Sequence, residues 1–136
     1  MKVFLSYAQP DRSLADKVAS VLKASGFEVW NPSFDILPGE NFAEKIAQAL
    51  KECEAMVVLL TPEAVASSNV LWEISYALGQ PSYAHRLLPV FVGGPDQIPE
   101  EKIPWILRHL NGIFLADSVK DEEGIAQIAS ALHQAA

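Results

Sequence analysis

Short apolar runs alternate with longer amphipathic segments along the chain. The short runs are rich in valine, isoleucine, leucine and phenylalanine, which is typical of buried strands, and the longer segments repeat apolar residues at the spacing of a helix. The predicted strands are Val3 to Ser6, Phe27 to Trp30, Ala55 to Leu60, Leu87 to Val92 and Ile113 to Ala116. The predicted helices are about Pro10 to Ser25, Phe42 to Cys53, a helical region that follows Thr61 and ends at Gly79, and Glu122 to Gln134.

Strict alternation of strands and helices predicts a parallel sheet with helices on both faces and right-handed crossovers. Five strands favour a flavodoxin-like three-layer sandwich with the strand order 2-1-3-4-5, formed by residues 1–136 as one domain. In that order the ligand crevice lies at the carboxyl ends of strands one and three, where the strand order reverses.

Composition narrows the choice of partners and compartment. The formal net charge is -7, which argues against a nucleic-acid backbone or an anionic membrane as the main partner. The single cysteine, Cys53, allows no internal disulfide, and the three histidines lack the spacing of metal ligands. No signal peptide or membrane-spanning stretch is recognisable, so we expect a cytoplasmic protein.

Glu73 lies in an unusual place on its predicted helix. It follows Val70 by three residues and precedes Ala77 by four, which sets it on or beside the apolar stripe of the helix. A carboxylate there points toward the sheet or into a crevice beside it, and such groups are enriched at active sites. The alternative is a boundary glutamate whose stem packs and whose head reaches water.

The expected crevice has two walls and a cover. Ser6 and Tyr7 end the first strand, and we expect their side chains and the loop from Ala8 to Asp11 to form one wall. The third strand is followed by Thr61 and then by the helix that carries Glu73. The loop Asn31 to Asn41 covers the opening, and its length favours a functional role.

Three aromatic residues flank or lie in this loop. Trp30, Phe34 and Phe42 could each stack on a flat ligand or pack in the core. We assign Phe42 to the core and leave both roles open for the other two.

Several common chemistries lack their sequence motifs. The chain has no GxGxxG after the first strand, no GxxxxGK[ST] and no GxSxG. A phosphoacceptor receiver needs acidic residues at the ends of strands one and three, where Ser6-Tyr7 and Thr61-Pro62 stand instead.

An ordered set of motifs resembles the TIR domain. VFLSYAQPDRSLADKVASVLKASGFEVW resembles the first strand, F-x-S-Y box and first helix of that family. FDILPGENFAEKIAQALKECEAMVVLLTP resembles its BB loop, second helix and third strand, and SSNVLWEISYAL resembles the helix with its catalytic glutamate. The resemblance covers Val3 to about Val92.

This resemblance implies cleavage of the nicotinamide-ribose bond of NAD, with Glu73 at the position of the catalytic glutamate. NAD is then the substrate, and neither a cofactor nor a metal is needed, because the pyridinium leaves without protonation. The implied substrate-binding residues are Ser6, Tyr7, Trp30, Phe34, Asp35, Leu37 and Asn69. Many such enzymes carry a tryptophan where this chain has Asn69, so the loop aromatics would have to supply the stacking.

The family resemblance also implies partners. We expect self-association through TIR–TIR contacts that involve the loop Asn31 to Asn41, and a fused or separate sensor domain in bacterial immune signalling or phage defence. Two other functions remain open. One is a non-catalytic TIR adaptor, in which Glu73 is structural. The other is a nucleoside deoxyribosyltransferase-like enzyme, whose WE-x-x-x-A helix is similar, although the BB-loop match favours TIR.

Overall fold

The computed structural model describes residues 2–31, 39, 42–80, 83, 86–92, 112–115 and 122–135. The strands are β1 (Lys2–Ser6), β2 (Glu28–Trp30), β3 (Ala55–Leu60), β4 (Leu87–Val92) and β5 (Ile113–Leu115). The helices are α1 (Arg12–Ala24), α2 (Phe42–Glu52), α3 (Pro62–Val65), α4 (Ser68–Leu78) and α5 (Glu122–Ala135).

The five strands form one parallel sheet of order β2-β1-β3-β4-β5, which confirms the predicted topology. β1 and β3 are neighbours, and Ser6 is aligned with Val58 across them. Every residue of β3 is buried, as a strand covered on both faces requires. The carboxyl ends of β1 and β3 are therefore adjacent, and the helices that follow them leave toward opposite faces of the sheet.

One apolar core lies on each face of the sheet. The first joins α1 and α5 to the sheet through buried residues such as Leu5, Val18 and Ile128. The second joins α2, α3 and α4 to the sheet through Phe4 and Ile74, among others. Glu73 belongs to a helix of this second layer, so its surroundings are the second core and the end of the sheet.

The element boundaries matter for the site at two places. Pro10 does not begin a long helix, because Gln9–Asp11 form a separate 3₁₀ turn before α1. The helical region after Thr61 holds two helices, and each begins at its own hydroxyl cap. The Thr61 hydroxyl accepts a hydrogen bond from the Ala64 amide, and the Ser67 hydroxyl accepts one from the Val70 amide.

Three residues stand at the ends of helices. Gly26 follows the C-terminal end of α1 with a φ of 96°, a backbone conformation that favours glycine. Cys53 follows α2 and is buried in the second core. The side chain of Phe42 lies outside the described residues, so its core role stays a prediction.

Candidate active site

Glu73 and Ser6 meet at the carboxyl end of β1. The Ser6 hydroxyl donates a hydrogen bond to Oε1 of Glu73 over 3.0 Å. Glu73 is 5% exposed and Ser6 is 1% exposed, so the contact is shielded from water. The helical spacing placed Glu73 beside the apolar stripe of α4, and its neighbours Val70, Ile74 and Ala77 are indeed buried in the second core. The prediction that its carboxylate points inward is confirmed.

Burial alters the proton affinity of this carboxyl group. It raises the pKa of Glu73 from an ordinary 4.5 to about 7, while the hydrogen bond from Ser6 acts in the opposite direction. A carboxyl group with a pKa near neutrality changes its charge in the physiological range. It is therefore the kind of group that acid–base or electrostatic catalysis uses.

A second side-chain hydrogen bond joins the segment that follows β1 to the segment that follows β3. Thr61 is the residue that follows β3. Its hydroxyl donates a hydrogen bond to Oδ2 of Asp11 over 2.5 Å and accepts one from the Ala64 amide over 3.0 Å. Burial, with a smaller contribution from the charge of Glu63, raises the pKa of Asp11, and the Thr61 hydrogen bond opposes that rise. The sequence placed Asp11 in a wall of the crevice, but its pairing with Thr61 was not foreseen.

Tyr7 lies on the other face of the sheet from Ser6. Its hydroxyl donates to Oδ1 of Asn31 over 2.6 Å, and Nδ2 of Asn31 donates to Oδ1 of Asp16 over 3.1 Å. The ring packs against the first core, together with α1. The expectation that Ser6 and Tyr7 form one wall is therefore wrong, because their side chains contact helices on opposite faces of the sheet. Tyr7 instead holds the buried Asn31, at which the loop after β2 begins.

Trp30 is a buried member of the second core. It is 8% exposed, and its ring stacks on Phe4 with centroids 4.9 Å apart and planes 16° from parallel. Most of the ring is thus occupied by protein contacts, which favours the packing role over substrate stacking. Its predicted part in substrate binding stays a prediction.

The remaining predicted substrate residues lie partly or wholly outside the described residues. Phe34, Asp35 and Leu37 belong to the loop between β2 and α2, of which only Asn31 and Gly39 are described. Asn69 lies in the first turn of α4, but its side chain is not among those described.

Trp72 is turned away from the carboxylate of its neighbour Glu73. Its side chain is 52% exposed, and its ring lies 6.1 Å from that of Tyr76 in a tilted arrangement. Adjacent residues on a helix differ by 100° in direction, which explains why one is exposed and the other buried. The expectation that Trp72 points elsewhere on the helix is confirmed.

The described residues contain no group of three or more His, Cys, Asp or Glu residues that could hold a metal ion. The helices that are described there include none with both the length and the apolar character to cross a membrane.

Comparison with curated proteins finds two relatives at low identity. The chain is 26% identical over 90 residues, 65% of its length, to the 2' cyclic ADP-D-ribose synthase BtTIR of Bacteroides thetaiotaomicron. It is 26% identical over 130 residues, 93% of its length, to a stimulator of interferon genes protein of Magallana gigas. In both cases the chain spans 31% of the relative's length.

Solved structures share the fold. A metazoan TIR-STING receptor from C. gigas, in complex with 2',3'-cGAMP, superposes on 94% of this chain with a TM-score of 0.74 and 26% identity, over 39% of the receptor chain. The TIR domain of the Toll-related receptor TRR-2 from Hydra magnipapillata superposes on 98% of this chain with a TM-score of 0.72 and 21% identity, over 96% of that domain.

The family profile described as "TIR domain" matches residues 3–130, nearly the whole chain. The match includes both segments that meet at the Ser6–Glu73 contact. Together with the sheet order and the shared fold, it establishes that this chain belongs to the TIR domain family.

Proposed function

We propose that this TIR domain cleaves NAD at the nicotinamide–ribose bond and that Glu73 is its catalytic carboxylate. The observation that carries the proposal is the buried carboxyl group of Glu73, held by the Ser6 hydroxyl at the carboxyl end of β1 with a pKa of about 7. Ligands of open parallel sheets bind at this edge, where the strand order reverses.

The proposed reaction follows from the charges involved. As the bond between the ribose C1' and the nicotinamide nitrogen breaks, its electron pair leaves with nicotinamide, and the pyridinium becomes a neutral ring. The ribose then carries an oxocarbenium-like positive charge. An ionised Glu73 either stabilises this charge directly or accepts hydrogen bonds from the ribose hydroxyl groups. Attack by water releases a proton and gives ADP-ribose, whereas attack by a group within the same molecule gives a cyclic product.

The ionised form of Glu73 is the one that this mechanism needs. A pKa of about 7 means that roughly half of the free protein carries the charge at neutral pH. A bound pyridinium cation near the carboxyl group favours ionisation, so substrate binding itself increases the charged fraction.

The similarity to a 2' cyclic ADP-D-ribose synthase supports this reading, because NAD contains the ADP-ribose unit of such a product. We extend the proposal to a role in bacterial immune signalling or phage defence, with self-association through the loop Asn31 to Asn41 and control by a fused or separate sensor domain. The exposed Gly39 lies in this loop. These wider roles rest on the family to which the chain belongs.

The test is to incubate the protein at high concentration with NAD and measure nicotinamide release. Glu73→Gln keeps the size of the side chain and an oxygen that accepts the Ser6 hydrogen bond, but it cannot ionise. We expect its rate to fall by about 10²–10³, the usual effect of removing one electrostatic stabiliser. The matched control is Glu28→Gln, which removes an exposed carboxylate from β2 and should leave the rate unchanged.

Three outcomes would overturn the proposal in different ways. Equal rates for the Glu73→Gln and wild-type proteins would remove Glu73 from the mechanism. Absence of nicotinamide release, with base exchange in a parallel incubation with thymidine and a free base, would indicate a deoxyribosyltransferase. Absence of both activities would favour the adaptor role.

A further inference from the structure

Two side-chain hydrogen bonds connect the same two segments of the chain. One segment runs from the end of β1 through the 3₁₀ turn and contains Ser6 and Asp11. The other runs from the end of β3 through α3 into α4 and contains Thr61 and Glu73. Ser6 donates to Glu73 over 3.0 Å, and Thr61 donates to Asp11 over 2.5 Å. The segments therefore donate to each other in opposite directions.

Backbone hydrogen bonds make each segment a continuous unit. The amide of Asp11 donates to the carbonyl of Ala8 over 2.9 Å, which closes the turn shortly after Ser6. On the other side, the Val65 amide donates to the Thr61 carbonyl over 3.1 Å, and the Leu71 amide donates to the Ser67 carbonyl over 3.1 Å. The Ser67 amide donates to the Ala64 carbonyl over 3.0 Å, which connects α3 to the start of α4, the helix that carries Glu73.

We propose that Asp11 and Thr61 are positioning residues that hold α4 against β1, so that the Glu73 carboxyl group stays in its place beside Ser6. This inference rests on the proposed function in so far as it concerns turnover. Neither residue need touch the substrate, since their effect reaches the reaction through the placement of Glu73. Asp11 and Thr61 form the outer connection between the two segments, and Ser6 and Glu73 form the inner one.

A role for Thr61 as a helix cap alone does not explain why its hydroxyl group donates a hydrogen bond to Asp11. Capping uses the hydroxyl oxygen as an acceptor for the Ala64 amide. The hydroxyl hydrogen is free to point elsewhere, and in this structure it is donated to a carboxyl group from another strand's loop. Asp11 is partly withdrawn from water, which disfavours its charge. Such a cost fits a residue that orders two segments.

The decisive comparison is between Asp11→Ala and Asp11→Asn. Alanine removes the acceptor for Thr61 but leaves the helix cap intact, whereas asparagine keeps an oxygen that accepts the same hydrogen bond. Thr61→Ser, which keeps both hydrogen bonds, is a second conservative variant. The control for a general loss of stability is Ile128→Val, which shortens a fully buried side chain of α5 in the other core.

Two readouts separate positioning from folding. Steady-state kinetics with NAD give kcat and KM separately, and ¹³C NMR of the Glu73 carboxyl carbon gives its titration midpoint without any turnover. We expect Asp11→Ala to lower kcat by about 10- to 100-fold with little change in KM, since small misplacements of a catalytic group cost this much. The titration midpoint of Glu73 in the Asp11→Ala protein should differ from that in the wild type, because the distance to Ser6 and the burial of the carboxyl group both change. Asp11→Asn and Thr61→Ser should restore most of kcat and the wild-type midpoint.

The result that overturns the inference is an Asp11→Ala protein with the wild-type kcat and Glu73 midpoint. A loss of kcat in Ile128→Val as large as in Asp11→Ala would also overturn it, because the effect would then be one of stability. If the wild-type protein releases no nicotinamide, the proposed function fails, yet the NMR midpoints still decide whether Asp11 positions Glu73.

Discussion

The hydroxyl group of Ser6 and the carboxyl group of Glu73 share a hydrogen bond of 3.0 Å, although 67 residues separate them in sequence. The contact joins the end of β1 to the middle of α4, and both side chains are buried. The hydrogen bond stabilises the charged form of Glu73 and lowers its pKa, whereas burial raises that pKa. The ionisation of the candidate catalytic group therefore depends on a residue from another part of the chain.

Replacement of Ser6 by alanine should shift the activity profile to higher pH. The Ser6 hydrogen bond lowers the pKa of Glu73, so its loss raises that pKa further above about 7 and reduces the ionised fraction at neutral pH. A hydrogen bond to a charged group contributes about 1.5–3 kcal/mol, and we expect kcat/KM at pH 7 to fall about tenfold. The measurement is nicotinamide release from pH 5 to 9. Ser75→Ala, an exposed serine on the same helix, is the control. An unshifted Ser6→Ala profile would contradict the prediction.

Replacement of Glu73 by glutamine should stabilise the fold at high pH. The pKa of Glu73 is about 7 in the folded protein and near 4.5 when exposed, so the folded state binds the proton more tightly. The contribution of Glu73 to the free energy of unfolding therefore falls as the pH rises from about 4.5 to 7, by about 3 kcal/mol, and levels off above that range. Glutamine cannot ionise, so the Glu73→Gln protein does not lose this part of its free energy of unfolding as the pH rises.

Urea unfolding at pH 5 to 8 measures this effect. The free energy of unfolding of Glu73→Gln should exceed that of the wild type by an amount that grows with pH. Glu28→Gln, an exposed carboxylate, should not produce this divergence. A constant difference between Glu73→Gln and wild type across the range would mean that the Glu73 pKa is not raised.

Trp30 and Phe34 should separate into a packing residue and a binding residue. Trp30 is buried against Phe4, so Trp30→Ala should lower the free energy of unfolding by about 3–5 kcal/mol. Phe34→Ala should leave the melting temperature nearly unchanged and raise the KM for NAD about tenfold, the lower end of one base-stacking interaction. Thermal unfolding and kinetics of both variants test this. A Phe34→Ala enzyme with the wild-type KM would show that Phe34 does not stack on NAD.

Activity per protomer should rise with protein concentration if a neighbouring domain completes the site. Gly39 and Gly26 form a matched pair for this test, since both have positive φ, 88° and 96°, and a Cβ at either would meet nothing within 4 Å. Alanine at each should cost about 1–2 kcal/mol from backbone strain alone. We expect only Gly39→Ala to weaken the concentration dependence, because only Gly39 lies in the loop Asn31 to Asn41. Specific activity that is constant over a hundredfold dilution of the wild type would contradict self-association.

The sequence pattern predicted the architecture of this protein. Alternation of apolar runs and amphipathic segments predicted the five parallel strands and their order, because a strand covered on both faces must be apolar throughout and a crossover helix must be apolar on one side. The spacing of Glu73 from Val70 and Ala77 likewise placed it on or beside the apolar stripe of its helix, and the structure decided between a buried carboxylate and one that reaches water. The predicted properties depend on periodicity, which a linear sequence contains.

The partners of the site residues were decided by the tertiary structure. Glu73 binds Ser6, and Asp11 binds Thr61, because β1 and β3 pair with Ser6 beside Val58 and because a 3₁₀ turn places Asp11 over the end of the sheet. Register and turn geometry depend on packing between segments far apart in the chain, so local pattern does not specify them. The side chain of Tyr7 shows the same division. Its position at the end of the predicted first strand suggested a place in the crevice, whereas in the structure its ring packs against the first core and its hydroxyl donates to Asn31.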